Sequence, residues 1–446
     1  MQVEQLYQKY LASTGVTTDT RNIGQGNIFF ALKGEKFNAN EFAAEALNKG
    51  AACVVIDELI NPHWQTEYGD RLILVDDVLT TLQQLSGYHR QQLNCPVIAI
   101  TGSNGKTTTK ELVAAVLAKK YRTYATIGNL NNHIGIPLTL LGIKSDVEMA
   151  VIEMGANHQG EIAGYCEYVK PDYGLITNVG KAHLEGFGGF EGVVKGKTEL
   201  YRDIATRKGK VFINRNNEIL ALNWAGLASR ASFEKGSTIT YGSSSDVFSS
   251  GIIKAGTEFL TISTEGLDIS TNLVGDYNFE NVMSAICIGK YFEVPLPAIK
   301  NAIETYTPTN NRSQKIEWGS NTIILDAYNA NPSSMIEALK NFEKYLAGDN
   351  TKKGIAIIGQ MMELGEYAAQ EHEKIFAAAN TSAWQNIQRV FVGKGFEMVK
   401  HLSASNLLWF ETTDEVKHWF KQQAFENTLI LIKGSRKNEL EKILKN

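Results

Sequence analysis

One stretch, Thr101-Gly102-Ser103-Asn104-Gly105-Lys106-Thr107-Thr108-Thr109, constrains this chain more than any other. The apolar run Val97 to Ile100 precedes it. Leu112, Val113, Val116 and Leu117 follow at the spacing of one helix face. The pattern predicts a strand, a glycine-containing turn and the start of a helix. There, backbone N–H groups and the positive end of the helix dipole converge on one point, which suits an anion. Lys106 adds a full charge, and Thr107 places a hydroxyl where such loops ligate magnesium. The spacing is not the common G-x-x-x-x-G-K-[ST]. Counting back from Gly105, the first glycine falls on Ile100, which leaves a shorter G-x-x-G-K-T-T. Gly102 to Thr108 therefore predict a bound nucleoside triphosphate. They do not separate kinase, ATPase, ligase and switch, and an ordinary strand-to-helix turn with a surface lysine is the bland alternative.

The rest of the chain narrows the class. With 446 residues, 43% of them hydrophobic and 21% charged, two or three domains with cores of their own are expected. A net charge of −4 argues against nucleic acid as the main partner. Cys53, Cys95, Cys166 and Cys287 are scattered without C-x-x-C spacing, which suggests free thiols in a reducing compartment. The start, MQVEQLYQKY, has no basic segment followed by an apolar run, and no apolar run approaches the ~20 residues of a membrane span. A soluble cytoplasmic protein is the expectation.

Taken in order, the chain suggests three α/β units, at 1–90, 91–310 and 311–446. In the first and smallest, Ile28–Leu32, Cys53–Ile56 and Leu72–Val75 are strand candidates. Phe42 to Leu47 is a helical stripe ended by Lys49-Gly50, and Val78 to Arg90 is a helix leading onward. In the second, Val97–Ile100, Ala150–Glu153, Leu175–Thr177 and Val211–Asn214 alternate with helical patterns. That alternation predicts a parallel, doubly wound sheet with its ligand site at the carboxyl strand ends. Glu153 and Asn178 fall at such ends, with Lys181, His183 and Glu185 close behind. Short β-like runs from about Thr238 to Leu273 suggest an antiparallel insertion, after which Asn278 to Tyr291 is again helical. In the third unit, Ile323–Asp326, Ile355–Ile358, Val390–Val392 and Leu429–Ile432 are continuous apolar runs, as in Rossmann-like strands buried on both faces.

Several polar residues stand out against this frame. Thr107 and Glu153 are reasonable oxygen donors to magnesium, and His183 could serve a second cation. In Asp326-Ala327-Tyr328-Asn329-Ala330-Asn331-Pro332, Asn331 suits a helix N-cap and Pro332 the first turn. Asp326 and Asn329 are not needed for capping, and that excess polarity suggests ligand contact. Arg312, at the junction of the second and third units, could reach a phosphate. Asp19-Thr20-Arg21 and Lys33 are weaker candidates for anion contacts. Lys197, in the charged segment Glu191 to Leu200, is undistinguished by composition.

Together these segments resemble the Mur ligases, the ATP-dependent amide-forming enzymes of peptidoglycan synthesis. The resemblance spans essentially the whole chain. It rests on Asp19-Thr20-Arg21, Phe29 to Gly34, TGSNGKTTTKE from Thr101, NLNNHIGIPLTLL from Asn129 and Glu153-Met154-Gly155. It continues through Asn178 to Glu185, Asp326 to Pro332, Met362 to Glu366 and Leu431-Ile432-Lys433-Gly434-Ser435-Arg436. It implies that Gly102, Ser103, Asn104, Gly105, Lys106, Thr107 and Thr108 hold ATP phosphates. It implies one magnesium ion on Thr107 and Glu153 and a second on His183 and Lys197, the lysine carbamylated by carbon dioxide. Lys106, His183 and Lys197 would be the catalytic set. Asn278 and Asn281 would lie near the adenine, Asp326 near the ribose and Arg312 near the phosphates. The first domain would hold the UDP end of the sugar substrate, with Thr20, Arg21 and Lys33 as contacts. The third would help bind the acceptor dipeptide, with Asn329 and Asn331.

The resemblance further implies that the partners are UDP-N-acetylmuramoyl-tripeptide and D-alanyl-D-alanine; a monomer is the expectation, though the sequence itself leaves the oligomeric state open. Related ligases with another amino-acid acceptor, of the diamino-acid-adding or folylpolyglutamate type, are the alternative, as is a P-loop protein without ligase activity. The Asp-Asn-Pro-Arg motif of the diamino-acid-adding relative is absent. At three sites the chain departs from the family pattern. Tyr277-Asn278 replaces a His-Asn pair, Asn38-Ala39-Asn40 replaces Asp-Gly-His, and His133 stands where glutamate is common.

Overall fold

A computed structural model describes residues 2–445 except 231–235, 258, 309–311, 349–351 and 403. The expected junction at 310/311 lies outside the described residues. Three main sheets occupy successive stretches. The first has four parallel strands in the order Gly15–Thr17, Asn27–Phe30, Cys53–Ile56, Leu72–Leu74. Helix Val78–Gln92 leads out of it, capped by Asp77, whose carboxylate accepts from Thr80 N–H at 2.6 Å. This helix also docks the first unit on the second. His89 Nε2 lies 2.9 Å from the Ile143 carbonyl, and Arg90 donates to the Val169 carbonyl at 3.0 Å and to Asp172 at 2.9 Å.

The central sheet has seven parallel strands, ordered Ser249–Ser250, Thr238–Gly242, Lys210–Asn214, Tyr173–Ile176, Val97–Thr101, Met149–Glu153, Thr123–Ala125. Val97 to Ile100 are fully buried, as strands covered on both faces require. From Val97–Thr101 the chain passes outward to the edge strand Thr123–Ala125, returns beside it as Met149–Glu153, and then adds strands on its other side. The strand that carries the glycine loop is therefore the point where strand order reverses, and ligands bind outside the carboxyl ends there. Helix Lys106–Leu117 buries Leu112, Val113, Val116 and Leu117 and packs on helix Phe279–Tyr291. The approach is close: a Cβ on Gly289 would come within 2.5 Å of Val116.

The β insertion is shorter than expected. Among the described residues only Ile252–Ile253, Thr261–Thr264 and Leu267–Ser270 form its antiparallel sheet. Thr238–Gly242 and Ser249–Ser250 instead extend the main sheet in parallel.

The third sheet has six strands, ordered Gln314–Trp318, Asn321–Asp326, Thr428–Lys433, Lys353–Gly359, Ile387–Val392, Leu407–Phe410. The first is antiparallel to its neighbour and the others are parallel. Helix Pro332–Gly348 follows Asp326 after a short loop. As the motif suggests, Asn331 Oδ1 accepts from Ser334 N–H at 2.9 Å, and Pro332 occupies the first turn.

Candidate active site

The glycine loop closes tightly because two positions tolerate no side chain. Gly102 has φ +144°, and a Cβ there would lie 2.0 Å from Thr177 Oγ1. Gly105 has φ +76°, and its Cβ would meet Asn281 Oδ1 at 2.3 Å. The loop is also stitched to the strand end beside it. Thr177 Oγ1 donates to the Asn104 carbonyl at 2.6 Å, Asn104 N–H donates to Asn178 Oδ1 at 3.0 Å, and Ser103 Oγ exchanges hydrogen bonds with Gly180. No side chain caps the helix that starts at Lys106, so its first-turn N–H groups stay available to an anion. Lys106 Nζ folds back on the carbonyls of Gly102 and Ser103, at 2.8 and 3.2 Å. Burial pushes its pKa down to about 8; Glu153 opposes the shift and Arg312 adds to it. A bound polyanion would supply the counter-charge this lysine lacks.

Glu153 is fully buried at the end of its strand. Its Oε1 accepts from Thr107 Oγ1 at 3.1 Å and Asn131 Nδ2 at 2.7 Å. Its Oε2 has no hydrogen-bond donor, and the nearest cation, Lys110 Nζ, is 3.9 Å away. A buried carboxylate oxygen without a donor is costly, and a cation shared with Thr107 would satisfy it. Among the described residues no three His, Cys, Asp or Glu side chains converge as a metal cage. Such a cation would take most of its ligands from phosphate and water, as magnesium does. The residues present fit magnesium on those terms.

His183 and Lys197 lie just beyond. His183 adopts a left-handed backbone, φ +52°, and its Nδ1 meets the carboxylate of Glu363 from the third domain. That contact holds the Glu363 pKa below the usual carboxylate range. Lys197 is fully buried, with Nζ 2.9 Å from the Ala156 carbonyl and 5.0 Å from the Phe187 ring centroid. Burial, with a further contribution from Lys106, drives its pKa well below that of an ordinary lysine. Among the described residues no carboxylate hydrogen-bonds to it, so its surroundings disfavour the charged form.

A cleft of about 830 Å³ lies between the second and third units, lined by Ser103 to Thr108, Glu153, His183, Asn278, Asn281, Arg312, Asp326, Asn329 and Lys433. Arg312 stacks on Tyr328, 3.6 Å from the ring centroid, and its buried Nε has no acceptor. Asp326 pairs with Lys433 and accepts from Ser313 N–H at 3.3 Å. Asn331 Nδ2 donates across the cleft to Asn104 Oδ1 at 2.7 Å. The expected nucleotide contacts are thus brought together, with one qualification. The Asn281 side chain is already engaged, accepting from Thr109 Oγ1 at 3.0 Å and donating to Asn278 Oδ1 at 2.9 Å. Tyr277, the departure from the family's histidine, bonds Ser313 Oγ at 2.6 Å and belongs to the same wall.

The first-unit candidates lie elsewhere. Arg21 is 86% exposed and paired with Asp19; Lys33 pairs with Asp57 at 3.0 Å and Glu58 at 3.1 Å. The Thr20 carbonyl accepts from Lys49. Asn38 and Asn40 belong to the same network, with Asn38 donating to Glu58 and the buried Asn40 to Asp57. Asn131, Lys433 and Glu363 were not singled out by sequence. Each lies in a segment that carried the family resemblance, but only the fold brings them to the cleft or to His183.

Family models match three successive stretches: the Mur ligase family catalytic domain over residues 13–90, the Mur ligase middle domain over 100–289, and the Mur ligase glutamate ligase domain over 311–436. The UDP-N-acetylmuramoyl-tripeptide–D-alanyl-D-alanine ligase of Bacillus subtilis (strain 168) is 34% identical, over 97% of this chain and 92% of that protein. The chain is a Mur ligase. The ligase of the same name from Escherichia coli (strain K12) is 32% identical over 96% of this Mur ligase and 92% of its own length. A crystal structure of MurF from Acinetobacter baumannii superimposes with a TM-score of 0.83 at 28% identity, covering 99% of this chain and 97% of that one. The MurF ligase of Thermotoga maritima, solved in complex with ADP, shares the fold with a TM-score of 0.82 at 22% identity, covering 98% and 97%.

Proposed function

We propose that this Mur ligase joins D-alanyl-D-alanine to UDP-N-acetylmuramoyl-tripeptide at the expense of ATP, in cytoplasmic peptidoglycan precursor synthesis. One observation carries the reading. Lys106, the donor-free Glu153 Oε2 and the acceptor-free Arg312 Nε converge on one interdomain cleft, in a chain whose whole-length relatives bear that activity in their names.

Gly102 to Thr108 cradle the phosphates, with Lys106 at the β/γ end and Arg312 reaching them from the third-domain side. Asp326 faces the ribose, while Asn278 and Asn281 shape the adenine wall. Thr107 and Glu153 would hold one magnesium ion. His183 and Lys197, once carbamylated, would hold the second. Carbamylation joins the neutral Lys197 amine to carbon dioxide with loss of a proton, so a buried nitrogen becomes an anionic oxygen ligand. When bound, the two ions spread the γ-phosphoryl charge and offset the repulsion between ATP and the carboxylate.

The terminal carboxylate of the tripeptide attacks the γ-phosphorus, the bond to the bridging β–γ oxygen breaks, and ADP leaves. The deprotonated amine of the dipeptide then attacks the carbonyl carbon of the acyl phosphate. The C–O bond to phosphate breaks and the amide remains. In-line positioning supplies much of the rate, and the third domain, already hydrogen-bonded to the loop through Asn331, excludes water from the acyl phosphate. Thr20, Arg21 and Lys33 serve the UDP end; Asn329 and Asn331 lie on the dipeptide side. One chain supplies every residue named.

Phosphate release with UDP-N-acetylmuramoyl-tripeptide, measured with and without D-alanyl-D-alanine, tests the reading. Sustained release is expected only with both. Release that ignores the dipeptide contradicts it.

A further inference from the structure

The segment Glu363–Glu371 of the third domain lies along the loop that carries His183. Lys181 Nζ donates to the buried carboxylate of Glu371 at 2.8 Å, and Lys181 N–H donates to Ser333 Oγ at 3.0 Å. Glu185 N–H donates to the Glu363 carbonyl at 3.4 Å. Gly365, at φ +53°, sits so close that a Cβ there would lie 3.1 Å from the Glu185 side chain. In the middle of this seam the Glu363 carboxylate lies against His183 Nδ1 as an ion-pair contact, not aligned as a hydrogen bond. Both residues keep a left-handed backbone, φ +61° and +52°, which non-glycine residues hold only where surrounding contacts fix it. The seam therefore presents one carboxylate to one imidazole nitrogen.

A histidine that ligates a metal through one ring nitrogen usually gives the other to a carboxylate, which fixes tautomer and ring orientation. Here the carboxylate comes from a different domain. We propose that Glu363 is a positioning residue that orients His183 for the second cation, so that this half of the site is complete only when the third domain is docked. The proposal rests on the assignment of His183 and Lys197 to a second ion. It assigns Glu363 no contact with substrate. It gives domain docking a chemical consequence at the site: ATP bound to an undocked central domain would hold the Thr107–Glu153 ion and lack a properly held partner, which restrains phosphoryl transfer until the third domain has arrived.

Manganese binding followed by electron paramagnetic resonance tests this on the full-length protein, with a non-hydrolysable ATP analogue and UDP-N-acetylmuramoyl-tripeptide. Small-angle scattering on the same samples reports docking. Glu363 is half exposed, so Glu363→Gln should fold, which a thermal melt checks; Glu363→Asp serves as the conservative variant. The wild type should take two manganese ions. Glu363→Gln should stay docked, through Lys181–Glu371, and keep the first ion, yet bind the second at least ~10-fold more weakly. Glu363→Asp should recover part of that loss. Unchanged second-ion affinity in a docked Glu363→Gln would overturn the proposal. So would loss of docking itself, which would make Glu363 a domain contact only. A wild type that takes a single ion would instead refute the His183–Lys197 assignment, and this inference with it.

Discussion

The first domain and the interdomain cleft both carry charged residues that the family resemblance marks as ligand contacts, yet they are built in opposite ways. Arg21 and Lys33 are exposed and already paired with Asp19, Asp57 and Glu58. Lys106, Glu153 and Arg312 line the cleft, Lys197 is buried beside it, and each lacks something. Lys106 and Lys197 have only carbonyl acceptors, Glu153 Oε2 has no donor, and Arg312 Nε has no acceptor. Exposed paired charge contributes little either way, roughly 0–1 kcal/mol. Buried unmet charge is costly and persists where a ligand completes it. The contrast supports the proposal that the chemistry belongs to the cleft and that the first domain serves binding.

The largest effect expected from this contrast is at Lys106. Lys106→Ala should lower turnover on the order of 10³-fold, the scale of losing a principal charge on the transferring group. Steady-state phosphate release measures it, and near-normal activity would break the cleft assignment. Next is Lys197. Lys197→Ala should be inactive and partly rescued by added acetate or propionate, whose carboxylates replace the carbamate oxygens. Full activity without rescue would remove Lys197 from the site.

Smaller effects should follow in the first domain. Lys33→Ala should raise KM for UDP-N-acetylmuramoyl-tripeptide only a few-fold, consistent with an exposed, already paired lysine, while kcat and KM for ATP stay put. A collapse of kcat would place catalysis where the contrast does not.

His89 sharpens the comparison further, being buried but fully partnered by Tyr7 and the Ile143 carbonyl. Burial lowers its pKa below the ordinary 6.5. The unfolded chain therefore binds a proton more readily, and the stability His89 contributes is present above pH 6.5 and lost as pH falls through its lowered folded value. His372, also lowered by burial, acts in the same sense. Denaturant unfolding between pH 7 and pH 5 should show stability falling with pH, with a shallower fall in His89→Gln and little change in activity at neutral pH. An unchanged slope would show that burial does not govern this histidine.

How much of this was legible in the sequence varied with the physics. The glycine loop could be found because glycine, lysine and hydroxyl are needed at fixed local spacing. The central strands of all three sheets could be found because burial on both faces demands continuous apolar runs, as at Val97–Ile100 and Ile355–Ile358. Edge strands were harder. Gln314–Trp318 and Leu407–Phe410 are only partly covered, so their composition is mixed, and the serines of Ser249–Ser250 gave no strand signal. Thr238–Gly242 reads as part of the insertion because nothing local distinguishes a parallel partner from an antiparallel one. Within the site, Lys106 and Glu153 stood out at strand ends. Lys197 did not, because a charged helix face and a buried lysine look alike until the fold is known. Glu363 and Lys433 act across a domain boundary, and no local pattern records which loop they will face.

The central claim is that the cleft transfers the γ-phosphoryl group to the tripeptide carboxylate before the amide forms. It is tested most directly by labelling both oxygens of that carboxylate with ¹⁸O and examining the released phosphate by mass spectrometry. The account predicts one labelled oxygen in each phosphate, carried over when the acyl phosphate breaks. Phosphate released without label, while amide accumulates at the same rate, would contradict it.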